Sequence, residues 1–383
     1  MFSLDEISTP SYVVDKKRLE QNLKLFQHIQ ECTGAKILLS QKAFSTYYFY
    51  PLIGKYLSGA SASGLYEARL GFEEMKEKEV HVYSPAYKEC EIKELISISD
   101  YIVFNTPEQW MKYKKEIIRA SKKNGCGIRI NPEYSEINKD KYNPCAKFSR
   151  LGTTLEQLNK YGDFLFDSDD GYNLDGVLFH TLCEQNVDTL KRVLVIIEKN
   201  FQKYLKKIKW INFGGGHYIT HEDYDVDGLI HILKQFKESY DVQIYMEPGE
   251  AIALHCGYLV CTVLDIVKNG IEIAIVDTSA TCHMPNILEV PFQPLIKGAG
   301  KVNEKKYNYR IGGISCLAGD IIGDYSFEQK LNVGDKLILD DMIVYSMVKN
   351  NTFNGIPLPN IAVEDNGIHL IKSFTYEDYK KRL

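Results

Sequence analysis

The chain predicts an α/β fold, an eight-stranded β/α barrel joined to a second, β-rich domain, on three observations. Short apolar runs alternate with amphipathic stretches from residue 36 to residue 247. Eight such runs can be counted, and after residue 257 the texture changes to strands and turns. Strands that alternate with helices form a parallel sheet, and eight of them can close it into a TIM-type barrel.

The runs at 36–40, 56–62, 81–84, 101–104, 127–131, 176–180, 210–213 and 243–247 are short and apolar, as buried strands are. Between them, 64–78, 107–123, 187–206 and 227–239 space their apolar residues near the helical period. A doubly wound open sheet is the alternative that the same alternation allows. The residues that follow the strands favour the barrel: Gln41-Lys42, Asn131-Pro132, His180-Thr181, Gly214-Gly215-Gly216 and Glu247-Pro248-Gly249. Polar and glycine-rich segments at the carboxyl ends of barrel strands are where active sites are built. Beyond 257, the stretches 258–267, 272–276, 307–312, 336–339 and 343–347 read as strands. The run at 11–14, ahead of a helix at 16–30, can supply one more. The expected domains are a barrel over 22–257 and a β-rich domain over 1–21 plus 258–383.

With 383 residues, 44% of them hydrophobic and 25% charged, the chain has a globular composition and room for two cores. A net charge of -5 argues against a nucleic-acid partner, which calls for a basic face, and is compatible with a cationic ligand. No apolar run reaches the roughly 18 residues of a membrane-spanning helix. Residues 1–10 are acidic and lack the basic start and apolar stretch of a leader. Nine scattered cysteines without a C-x-x-C pair fit reduced thiols. A cytoplasmic protein with no membrane partner is expected.

Lys42 follows the first barrel strand among apolar neighbours, a setting that desolvates an amine and makes it nucleophilic. Gly214, Gly215 and Gly216 follow the seventh strand, where barrels hold phosphate and where backbone N–H groups can converge on an anion. Glu247 ends the eighth strand and can face a cationic ring nitrogen; His180 ends the sixth and can lie against a ring. Lys42, the glycine run and His180 each have an ordinary alternative: a solvated lysine, a flexible turn, a structural histidine. Arg129 reads as a partner in a barrel ion pair. Taken together, the residues ask for a ligand with a phosphate, a protonated ring nitrogen, an aldehyde and a flat face. Pyridoxal 5′-phosphate has all four.

In sequence order, Lys42, Phe179-His180-Thr181, the glycine run and Glu247-Pro248-Gly249 resemble the fold-type III pyridoxal-phosphate-dependent decarboxylases. That family includes the ornithine, arginine and diaminopimelate enzymes. The GGISCLAGD stretch at 312–320, Gly334-Asp335, Tyr345 and Phe353-Asn354-Gly355 resemble its second half. The resemblance implies that Lys42 bonds to the cofactor aldehyde and His180 stacks on the ring. Gly214, Gly215, Gly216 and Tyr345 would hold the phosphate, and Glu247 would pair with the ring nitrogen. Cys316 would cross the interface of a homodimer with shared active sites to act as the second catalytic residue. A carboxylate at the ring nitrogen favours decarboxylation over racemisation, because a protonated ring is the stronger electron sink.

Three departures narrow the substrate. Glu250 stands where the family's common motif has arginine, Leu317 follows Cys316, and Thr181-Leu182-Cys183-Glu184 replaces a glycine-rich loop. With the segments 277–283 and 316–320, these resemble the branch that decarboxylates carboxynorspermidine and carboxyspermidine. A small cationic polyamine needs acceptors in a row, since each buried ammonium must be paired. Glu247, Glu250, His283 and Asp320 are the expected substrate contacts, with Asp324 a further candidate. His283 would have to be neutral and accepting. Another fold-type III decarboxylase or racemase, or a silent relative that binds protein partners, is the alternative. His217 and His221 with Glu222 are set aside as a metal site, because the segment that holds them is short.

Overall fold

The computed structural model describes residues 7–168 and 171–383, with Asp163 described in its backbone only; residues 1–6 of the N-terminal stretch read above lie outside it. The chain divides into two compact units, Asn22–Ile252 and Met1–Gln21 with Ala253–Leu383. Strand β1 (Ser11–Asp15) belongs to the second unit.

The first unit is a closed barrel of eight parallel strands. In order these are β2 (Lys36–Ser40), β3 (Gly59–Ala62), β4 (Glu79–Tyr83), β5 (Tyr101–Phe104), β6 (Gly125–Arg129), β7 (Gly176–Leu178), β8 (Trp210–Asn212) and β9 (Gln243–Met246). Pairing of Lys36 with Tyr245 and of Ile37 with Met246 joins the first strand to the last, which rules out the open sheet. The helices between strands start on local signals. Thr106 accepts from the Gln109 amide ahead of Pro107–Arg119, Asn186 caps Val187–Leu205, and Asp225 caps Val226–Tyr240. The run read at 56–62 is strand only from Gly59, because Tyr50–Tyr56 is a helix.

Alternation along β4 sets the interior in layers: Glu79, His81 and Tyr83 share one face of the strand, while Val80 and Val82 share the other. Leu38, Val103, Leu178, Trp210 and Tyr245 form a buried cluster, with Tyr83 and Tyr101 packed on it. Trp210 fills the interior so closely that a Cβ on Gly176 would lie 1.8 Å from its ring, and one on Gly127 2.4 Å away. Those two strand positions therefore admit glycine alone. His81 stacks on Tyr101 with ring centroids 4.2 Å apart. Lys36 donates to Glu79 Oε1, and the His81 Nε2 lies 3.2 Å from Glu79 Oε2.

The second unit is an eight-stranded, mostly antiparallel sheet. It comprises β1, β10 (Gly257–Asn269), β11 (Ile271–Val276), β12 (Tyr307–Gly312), β13 (Ile321–Phe327), β14 (Lys336–Asp340), β15 (Asn360–Glu364) and β16 (Ile368–Lys372). The order is β13-β12-β11-β10-β1-β15-β16, with β14 also paired to β10. The 13-residue β10 serves both halves: its start pairs with β1 and β14, and its end pairs with β11 through a hairpin at Asn269-Gly270. β13, β15 and β16 were not anticipated from sequence. The strand expected at 343–347 is not one. Ile343 and Val344 lead into a turn at Tyr345 and a short helix, Ser346–Lys349, because a short apolar run does not fix its own period.

Glu79 ties chemistry to stability. Burial pushes its carboxyl up, but hydrogen bonds from His81 and Lys36 outweigh that and hold it at about 2. A carboxyl held below its unfolded value stabilises the fold above about pH 4.3, and that contribution is lost as pH falls towards 2. Glu79→Gln should therefore lower the unfolding free energy at pH 7 by about 1–2 kcal/mol, between the values for exposed and fully buried pairs. The variant should lose less stability than the wild type between pH 5 and pH 3, as read by denaturant titration.

Candidate active site

The residues expected to carry chemistry in the first unit stand at the carboxyl ends of its strands. Lys42 lies two positions beyond β2, Arg129 ends β6, His180 lies two beyond β7, the glycine run follows β8, and Glu247 follows β9. The loop after β2 is fastened to the loop after β9: the Ser40 amide donates to the Pro248 carbonyl at 3.0 Å. A Cβ on Gly249 would lie 2.7 Å from that of Ala43.

Electrostatics agree with the placement. Desolvation lowers the Lys42 pKa, the Glu247 carboxylate opposes that, and the Arg129 guanidinium reinforces it. Burial, with Lys42 and Arg129 nearby, pushes His180 well below the usual imidazole value. The Gly215 amide donates to His180 Nδ1 at 3.0 Å, so Nδ1 carries no proton and the ring is the neutral Nε2–H form. Arg129 is buried and rests over the Tyr83 ring at 4.7 Å, with no carboxylate partner among the described residues. The ion pair expected for it is replaced by a cation–π contact. Tyr83 in turn donates to Asn105 Oδ1 at 2.7 Å.

The glycine run is wedged between its neighbours. A Cβ would lie 2.5 Å from the Phe179 carbonyl at Gly214, 2.3 Å from that of Glu247 at Gly215, and 1.9 Å from that of Leu182 at Gly216. Gly214 and Gly216 also have φ of +68° and +83°. The expectation of three converging amides needs amending, however. The Gly214 amide donates to Asn212 Oδ1 at 2.8 Å and the Gly215 amide to His180, which leaves Gly216 as the glycine whose N–H can meet an anion. Glu247 accepts from Asn212 Nδ2 at 2.7 Å on Oε1, so Oε2 is the oxygen that can face a ring nitrogen. A nucleophilic amine, a neutral flat ring, an anion cradle and a fixed carboxylate fit pyridoxal phosphate.

Asn212 was missed from sequence. The signal was there: it stands two residues after Trp210, so it shares that residue's inward face, and an amide at such a position is unusual. Glu250 adjoins the site through Cys183, whose thiol is pushed up to about 11 by burial and by the carboxylates of Glu184 and Glu250.

The remaining expected residues lie in the second unit, where several have other work. His283 is buried; its Nδ1 lies 2.9 Å from Thr278 Oγ1 and its Nε2 3.0 Å from the Pro357 carbonyl. A carbonyl can only accept, so Nε2 carries the proton and Nδ1 takes the threonine hydroxyl. The histidine is neutral, as expected, but has no nitrogen left for an ammonium. Its pKa is lowered to about 4, mainly by burial. Asp324 is held by Arg310 in two hydrogen bonds of 2.8 and 2.9 Å and is engaged there rather than with a substrate. Asp320 is buried and accepts from Ser279 Oγ, the Ser315 amide and the Thr281 amide. It fastens the loop that carries Cys316. Cys316 is exposed, and its amide donates to Asn354 Oδ1 at 2.8 Å. Tyr345 sits at φ +53° in a tight turn closed by the Ser346 amide on the Val344 carbonyl at 2.5 Å. A tyrosine in that region is strained, and such strain clusters at functional positions. His221 stacks on Tyr218, and no cluster of three metal-ligating side chains forms among the described residues. No helix among them is long and apolar enough to cross a membrane.

Known proteins resemble the chain along nearly its whole length. Residues 11–343 match the family model described as pyridoxal-dependent decarboxylase, C-terminal sheet domain. The chain is 40% identical over 391 residues to a carboxynorspermidine/carboxyspermidine decarboxylase of Campylobacter jejuni, covering 99% of both proteins. It is also 40% identical over 384 residues to a carboxyaminopropylagmatine decarboxylase of Synechocystis, covering 99% of this chain and 96% of that one. The crystal structure of carboxynorspermidine decarboxylase from Campylobacter jejuni complexed with norspermidine superposes with a TM-score of 0.89 at 39% identity, over 98% of this chain and all of that one. With a closed barrel, a mostly antiparallel sheet and this likeness along its whole length, the chain belongs to the fold-type III pyridoxal-phosphate-dependent decarboxylases.

Proposed function

We propose that this enzyme releases carbon dioxide from carboxynorspermidine and carboxyspermidine, giving norspermidine and spermidine in polyamine biosynthesis. The observation that carries the reading is the gathering of Lys42, His180, the glycine run and Glu247 at one barrel mouth, in a chain 40% identical along its length to an enzyme of that activity.

Bound pyridoxal phosphate supplies an electron sink for the pair left behind when carbon dioxide departs. The chain's own residues prepare that chemistry. Lys42, with its pKa lowered, offers a larger share of neutral amine at neutral pH. Glu247 holds a proton at the ring nitrogen. His180, neutral, would lie against the ring without adding charge. Gly216, whose N–H is the one left by the other two glycines' bonds, would meet the phosphate. Cys316 of the partner subunit would deliver a proton to the product carbon, which makes the working unit a homodimer. Glu250 meets a distal ammonium, while His283 and Asp324 are withdrawn as substrate contacts and Asp320 is kept as a support for the Cys316 loop. All nine cysteines are free, which supports a reducing cytoplasm.

The equal identity to a carboxyaminopropylagmatine decarboxylase favours a second reading, a substrate with a guanidinium tail.

Carbon dioxide release from carboxynorspermidine, carboxyspermidine, carboxyaminopropylagmatine, ornithine, arginine, lysine and diaminopimelate separates these readings. The carboxylated polyamines should exceed the four simple amino acids in kcat/KM by about a hundredfold or more, roughly two well-paired ammonium groups. Preference for carboxyaminopropylagmatine selects the second reading, and preference for a simple amino acid overturns both. Lys42→Ala should lower turnover at least about a thousandfold, since a nucleophile is not replaced by its neighbours. Turnover near wild type would defeat the assignment. Glu250→Gln should raise KM for carboxynorspermidine about tenfold with a smaller effect on kcat, as expected when one charged contact is lost.

A further inference from the structure

Three hydrogen bonds at the barrel mouth close into a ring. The Gly214 amide donates to Asn212 Oδ1 at 2.8 Å, Asn212 Nδ2 donates to Glu247 Oε1 at 2.7 Å, and the Glu247 amide donates to the Gly214 carbonyl at 2.8 Å. Asn212 is completely buried on β8. The orientation of its carboxamide is dictated by chemistry. A backbone N–H can only donate, so the oxygen must face Gly214, and the NH2 group then points at a carboxylate that can only accept.

The ring joins two elements that would hold opposite ends of one ligand. Gly214 opens the run that cradles the phosphate, and Glu247 is the acid for the ring nitrogen. Packing leaves neither element room to adjust independently, because a Cβ on Gly215 would lie 2.3 Å from the Glu247 carbonyl. The Gly215 amide extends the network to His180. The bond from Asn212 restrains the Glu247 carboxylate through Oε1 and leaves Oε2 for a ring nitrogen.

We propose that Asn212 is a positioning residue that couples the two ends of the cofactor site, fixing Glu247 for the ring nitrogen and the glycine run for the phosphate through one carboxamide. This rests on the reading of the barrel mouth as a pyridoxal phosphate site. Beside the backbone bond that joins them directly, the Gly214 amide and the Glu247 carboxylate are both engaged by the same buried side chain. Loss of the carboxamide should therefore weaken recognition at both ends together, which loss of general stability would not do.

The test is equilibrium binding to metabolite-free apoenzyme of three probes: pyridoxal 5′-phosphate, its 1-deaza analogue without the ring nitrogen, and pyridoxal without the phosphate. The wild type should prefer the full cofactor over both truncated probes. In Asn212→Leu, the preference over the deaza analogue and the preference over pyridoxal should each shrink about tenfold, the scale of one charge-assisted hydrogen bond at each end. Asn212→Asp keeps the shape and the acceptor for Gly214 and replaces the donor to Glu247 by a second carboxyl, which competes with Glu247 for a proton. It should lose the preference over the deaza analogue and retain that over pyridoxal, which keeps the proposal testable if the leucine variant folds poorly. Uniform weakening of all three probes, or unchanged ratios, would overturn the coupling. A wild type that does not distinguish the cofactor from its deaza analogue would instead remove the reading of Glu247 on which the proposal stands.

Discussion

Closure of the barrel is the constraint on which the site depends. β2 and β9 are the first and last strands of the barrel, yet Lys36 lies against Tyr245 and Ile37 against Met246. That pairing brings the segment carrying Lys42 beside the segment carrying Glu247, and the Ser40 amide on the Pro248 carbonyl fixes the two loops above it. An open sheet would leave these strands at opposite edges. The base of the barrel sustains the same geometry: Trp210 requires glycine at 127 and 176, and β4 carries Glu79, His81 and Tyr83 in succession along its inward face.

The mouth sets two cations against one fixed anion. Arg129 and desolvation work against a charged Lys42, whereas Glu247 works for it, and the net effect is a lowered amine pKa. Arg129 reaches this position because it stacks on Tyr83 instead of finding a carboxylate. His180 remains neutral since its Nδ1 is occupied by a backbone donor. An anionic, flat, nitrogen-containing ligand is answered group by group by this arrangement, and the charge of each protein group has a local cause.

In the sheet unit, polar side chains serve mainly to hold loops. Asp320 gathers the segments around Ser279, Thr281 and Ser315, and Asn354 receives the Cys316 amide. His283 joins Thr278 to Pro357, which lies 74 residues beyond the histidine in sequence. These loops are long and irregular, so their backbone groups need side-chain partners in place of a ladder. The cost of leaving such groups unpaired explains why residues that look free for substrate in sequence are already engaged in the fold.

Much of this was legible in the sequence, for a physical reason. Strand and helix periods, glycine where backbones approach, and polar residues after strands are local signals. They sufficed for the barrel, the sheet domain, Lys42, His180, the glycine run and Glu247 as candidates, and resemblance added the cofactor. What only the tertiary structure decided are matters of partnership. Asn212 meets Glu247 and Gly215 meets His180 across 35 residues each, and no periodicity announces such pairs. The strand expected at 343–347 became a turn, the amides of Gly214 and Gly215 proved occupied, and Asp324 closed on Arg310. Sequence determines which groups are present and which face of an element they share. Whether a donor or acceptor is still available depends on what the folded chain has placed beside it.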